Sequence, residues 1–122
     1  MLQYFTLSAP YFANRHYAIL LSPEGVSVQS SQIMGANRPT GSGQAAFSPD
    51  GRKYAIWSMH LIGEDPILDI YDFERCAGTW SNPIGITYQD TVNGGGLAFS
   101  PNSRFLYISS YWKVYQYDLE AE

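Results

Sequence analysis

Few side chains in these 122 residues are suited to chemistry: two histidines, one cysteine, eleven carboxylates and seven Lys or Arg. His60, Glu64 and Asp65 share one short stretch, 59–66, whose composition could ligate a divalent cation or act as acid and base. Their spacing matches no calcium loop or zinc motif, so a solvated loop is expected, with no metal site and no cofactor. His16 follows Arg15 without a sequence partner and reads as a surface-loop histidine. Asp69 and Asp72 sit three apart on one strand, so they project to opposite faces and make no carboxylate dyad unless a bulge intervenes. Asp72 and Asp118 recur in Tyr-Asp pairs at strand ends and read as turn acceptors. Cys76, the lone cysteine, cannot close an internal disulfide and reads as a small half-buried residue. Gly41-Ser42-Gly43 and Gly94-Gly95-Gly96 precede no helix, so half of a phosphate cradle is missing and flexible links are expected. No set of nucleophile, base and orienting group can be assembled from these positions, so no catalytic residue is assigned.

The elements that must position these groups are strands. Hydrophobic residues make up 45% of the chain, aromatic residues 16% and charged residues 15%, which supports one core and one domain. A net charge of −4 and no basic run argue against nucleic acid or an anionic membrane as partner. No segment has the length and apolarity of a signal region or a membrane span, so a soluble chain without membrane insertion is expected. Short runs of Tyr, Ile, Val, Phe and Trp are broken at intervals by Gly, Pro, Asn and Asp, and helical periodicity is absent.

A repeat organises these runs. The string Ala46-Phe47-Ser48-Pro49-Asp50-Gly51-Arg52 returns as Ala98-Phe99-Ser100-Pro101-Asn102-Ser103-Arg104, a period of roughly 50 residues. Downstream, Ile70-Tyr71-Asp72-Phe73 is echoed by Gln116-Tyr117-Asp118-Leu119. Ser48-Pro49-Asp50-Gly51 has the residue choices of a type I turn between two strands, which accounts for its Ser and Asp without catalysis. Strands are predicted at 44–48, 53–60, 67–73 and 84–88, then at 96–100, 105–111 and 113–118, with 2–7, 17–22 and 26–29 upstream. Four strands per repeat make a propeller blade. The fold class is therefore all-β, with antiparallel four-stranded blades amounting to about two and a half blades of a larger ring. The predicted division is 1–32 as the end of one blade, 33–43 as a linker, 44–90 as a complete blade and 91–122 as three strands of the next. Open sheet faces at each side call for cover by further blades of a longer chain or by self-association.

The Phe47-Ser48-Pro49-Asp50-Gly51-Arg52-Lys53 string and its partner resemble the signature of WD-repeat-like and TolB-like β-propellers. From Tyr17 to Glu120 the chain is also similar to Bacteroidetes cell-surface propellers that precede gliding-motility or type 9 secretion sorting modules. The residues that carry this likeness are Leu20-Leu21, Gly25-Val26, Gly41-Ser42-Gly43, Tyr71-Asp72-Phe73 and Tyr115-Gln116-Tyr117-Asp118-Leu119. It implies an extracellular or cell-surface, non-enzymatic binding or scaffolding piece. Similar propellers also include lactonases and peptidase-associated propellers, so the alternative is an enzyme whose catalytic groups lie in other blades. In an up-and-down blade, 33–43, 59–66, 89–95 and 111–113 open on one face, where rigid scaffolds place binding groups. The binding residues expected there, for a protein or glycan ligand, are Arg38, His60, Glu64, Asp65, Tyr111 and Trp112.

Overall fold

The computed structural model describes residues 3–8, 13–38, 43–58, 65–90 and 95–121, and among them the chain forms ten strands. β1 (Gln3–Ser8), β2 (Ala13–Ser22) and β3 (Gly25–Arg38) make the first sheet. β4 (Gly43–Phe47), β5 (Lys53–Ser58), β6 (Ile67–Glu74) and β7 (Thr79–Thr87) make the middle sheet, paired in chain order. β8 (Gly96–Phe99), β9 (Phe105–Ser109) and β10 (Val114–Asp118) make the third. Every strand pair is antiparallel. No helix among the described residues is long and apolar enough to cross a membrane.

Burial along the strands shows how the sheets stack. In β5, residues 54–58 are buried without interruption, because both faces of the middle sheet are covered. In β9 burial alternates, with Leu106 and Ile108 buried and Phe105, Tyr107 and Ser109 partly exposed, because only one face is covered. Two apolar clusters follow. Tyr54, Ile56, Tyr71, Phe73 and Trp80 meet Ala18 and Met34 of the first sheet in one seam. Ala55, Trp57, Leu68 and Ile70 meet Leu97, Leu106 and Ile108 of the third sheet in the other. The outer face of the first sheet leaves Val26, Val28 and Ile33 exposed, as Val114 is on the outer face of the third.

The two copies of the repeat are built alike. In the first turn the Ser48 carbonyl accepts the Gly51 N–H at 2.8 Å, and the Ser48 hydroxyl accepts the Lys53 N–H at 2.9 Å. In the second, Ser100 accepts from Ser103 at 2.9 Å and its hydroxyl accepts from Phe105 at 2.9 Å. Both turns need a left-handed residue at their fourth position, met by Gly51 (φ 71°) and by Ser103 (φ 61°). Ser103 has a second task, since its hydroxyl accepts the Asp50 N–H at 3.1 Å and so ties one turn to the next. Registers coincide as well: Lys53 faces Asp72 as Phe105 faces Asp118.

Several expectations are corrected. The stretch 33–38 is no linker, because β3 continues through Arg38. Just upstream in the same strand, the Ser30 hydroxyl and the Gln32 side-chain amide donate to the Gly78 and Trp80 carbonyls. β7 begins at Thr79, ahead of the predicted 84. A register shift between Ile70 and Asp72 lies in the β6–β7 pairing. Cys76 is exposed in the turn after β6, and His16 is buried in β2 against the middle sheet.

Candidate functional site

The β9–β10 hairpin closes through the Ser110 N–H donating to the Lys113 carbonyl at 2.7 Å and the Lys113 N–H donating to the Ser110 hydroxyl at 3.1 Å. This tight closure leaves Tyr111 and Trp112 as its two central residues, 67% and 75% exposed. Their rings meet edge to face with centroids 4.6 Å apart, a geometry that favours each ring holding the other in place. A shallow groove of about 250 Å³ lies apart from these two rings, lined by residues that include Gln44 of the middle sheet and Ala98, Tyr107, Ser109 and Val114 of the third. Exposed, mutually braced aromatics on a hairpin present a large contact area at small entropic cost, which suits stacking on sugar rings or peptide side chains.

Of the other residues expected on this face, Asp65 is partly buried ahead of β6, while His60 and Glu64 lie outside the described residues. Arg38 is a correction. Its guanidinium is buried and donates to the Asp69 carboxylate at 2.6 Å, to the Ser58 hydroxyl and, at 3.4 Å each, to the Ile56 and Ile67 carbonyls. A group so enclosed bridges the first and middle sheets and does not reach the surface, although its Nε–H is left without a partner among the described residues. Burial lowers its pKa, and the Asp69 charge opposes that shift.

Around this pair lies a polar patch that the sequence reading passed over. Asp69 also accepts the Ala36 N–H at 3.2 Å. Gly35 (φ 70°) is required there, because a Cβ would collide with the Tyr71 hydroxyl and the Asp69 carboxylate. Burial, followed by the Asp69 charge, raises the Tyr71 pKa well above the usual phenol range. His16 is 1% exposed, with its ring centroid 6.3 Å from Trp80 and 6.4 Å from Tyr54. The sequence signal for this patch was Asp69 itself, a charge inside the apolar run 67–71, which demands a buried partner.

Asp72 accepts from Lys53 at 2.5 Å and from Asn82 at 2.7 Å, and these bonds, Asn82 first, lower its pKa. It thus bonds side chains across the sheet rather than a turn. Asp118 accepts the Glu120 N–H at 3.0 Å and pairs with Arg104 at 2.6 Å. Among the described residues no group of three or more His, Cys, Asp or Glu is placed to hold a metal ion.

No protein-family model matches the chain, and no curated protein matches it. Two solved structures are similar to it. One is a protein from Lactobacillus plantarum, 17% identical with a TM-score of 0.63, where 98% of this chain covers 38% of that one. The other is a 6-phosphogluconolactonase-like protein from Bacteroides fragilis, 15% identical with a TM-score of 0.63, where 98% of this chain covers 35% of that one. The chain spans little more than a third of the length of either. At such identities the likeness is one of fold, and with three stacked antiparallel sheets the chain has the architecture of consecutive blades from a β-propeller.

Proposed function

We propose that this chain is a binding and scaffolding segment of a larger β-propeller and engages a protein or glycan through the hairpin tip of Tyr111 and Trp112. The observation that carries this reading is the pair of exposed, edge-to-face rings at 4.6 Å on a closed hairpin. The apolar outer faces of the first and third sheets are then covered by further blades or by a second chain, as apolar sheet faces require. A cell-surface setting rests on the sequence resemblance alone.

Trp57 and Trp80 are 3% and 4% exposed, so acrylamide quenching reads Trp112 almost exclusively. Titration with soluble gluco-, manno- and chito-oligosaccharides and with extended peptides is expected to give one class that protects Trp112. The Tyr111→Ala/Trp112→Ala variant, which lacks that reporter, should then lose the binding when it is read by titration calorimetry. Unchanged binding by the double variant would overturn the reading.

The likeness to the 6-phosphogluconolactonase-like protein favours a second reading, an enzyme whose reacting groups sit partly in other blades. Hydrolysis of a phosphorylated sugar lactone by a longer chain containing this segment, lost when its other blades are altered, would favour that reading.

A further inference from the structure

The structure points to an acid-sensitive seam: we propose that the first and middle sheets part reversibly on mild acidification, with His16 as the proton sensor. The argument starts from the surroundings of the imidazole. His16 projects from β2 into the seam, and neither ring nitrogen has a hydrogen-bonding partner among the described residues. The described groups facing it are Arg38 from β3, Tyr54 from β5, Asp69 from β6 and the Trp80 ring from β7, with Tyr71 of β6 in the adjoining apolar cluster. The single carboxylate of this set is already bonded to Arg38 at 2.6 Å. Arg15, its chain neighbour, is turned to the opposite face, where it donates to the Ser31 hydroxyl at 3.0 Å.

A proton arriving on His16 would add a second cation to a buried seam that holds one anion, with no acceptor in place for the new N–H among the described residues. Burial first, and Arg38 second, hold its pKa down to about 4, against the ordinary 6.5. When the seam parts, water reaches the ring and the ordinary value returns. The open state therefore binds the proton more tightly, and the closed seam loses stability as pH falls from about 6.5 to about 4. Below that range the loss from this group is complete, and above about 6.5 it is absent.

The second seam supplies an internal control. It is lined by Trp57, Leu68, Ile70, Leu97, Leu106 and Ile108 and holds no imidazole among the described residues. Amide hydrogen exchange, corrected for intrinsic rates, can follow both seams in one sample of the 122-residue chain. Ala36 and Trp80 report the first, through N–H bonds to Asp69 at 3.2 Å and to the Gln32 side chain at 2.8 Å. Leu97 reports the second, through its bond to the Gln44 side chain at 2.7 Å. Between pH 7 and pH 5 the Ala36 and Trp80 protection factors should fall roughly 20-fold, and by pH 4 roughly 100-fold, while Leu97 keeps its protection. In His16→Phe, which preserves a ring and removes the titration, the fall should vanish. Equal loss at both seams, a flat profile at Ala36 and Trp80, or an unchanged acid slope in His16→Phe would each overturn the proposal. The last outcome would assign the acid response to a group other than His16. The two-seam comparison in the unsubstituted chain stands even if the variant fails to fold.

Discussion

The middle sheet packs against a neighbour on each side, and the two sides are chemically unlike. Toward the third sheet it presents Ala55, Trp57, Leu68 and Ile70, met by Leu97, Leu106 and Ile108. Toward the first it presents Tyr54, Tyr71, Phe73 and Trp80, with Asp69 among them and Arg38 and His16 opposite. The aliphatic side is held by area, which is strong but tolerant of small slips. The polar side is directional. Gln32 gives its amide N–H to the Trp80 carbonyl at 3.0 Å and accepts the Trp80 N–H at 2.8 Å, much as a paired strand would. Directional bonds also join the middle and third sheets, from Leu97 to Gln44 and from Asp50 to Ser103, but only the first seam adds a buried charge pair, which carries a penalty whenever one partner is lost.

The largest expected effect tests that penalty. Asp69→Ala leaves the Arg38 guanidinium buried and unpaired, and should lower stability by about 3–5 kcal/mol in urea unfolding. Next is the aliphatic seam, where Leu106→Ala removes a fully buried side chain and should cost about 2–5 kcal/mol, with little change in the acid slope. A smaller loss, about 1–2 kcal/mol, is expected for Gly51→Ala, since φ is 71° and the new methyl would press on the Arg75 side chain. Smallest is Tyr111→Ala with Trp112→Ala. Both rings are exposed and belong to neither seam, so thermal unfolding should report a change within about 0.5 kcal/mol. A large loss in that variant would mean the tip supports the third sheet rather than serving a ligand.

Sequence reasoning reached the repeat because its turns are chemically explicit: Ser48-Pro49 and Ser100-Pro101 fold as local units, each satisfied by its own hydroxyl and carbonyl. It reached the exposed Tyr111 and Trp112 for the same reason, as central residues of a short hairpin. It missed β3 beyond Gln29 because that strand's inward residues, Ser30, Gln32 and Arg38, are polar and bond across the seam instead of packing in oil. Such a strand has no apolar alternation to detect. His16 was misread for a related cause. Its burial is created by Tyr54 and Trp80, far away in the chain, and nothing within a few residues of it announces that contact. Asp69 was legible as an anomaly, though its partner was not, since the partner comes from another sheet.

A double-mutant cycle on Arg38 and Asp69, read by urea unfolding at pH 7.5, tests most directly whether a buried charge pair holds the first seam. Arg38→Met and Asp69→Leu should each be strongly destabilising. Together they should return near the parent midpoint, with a coupling energy above about 2 kcal/mol. Additivity of the two changes to within about 0.5 kcal/mol would contradict the account, because it would mean that the two charges do not depend on each other.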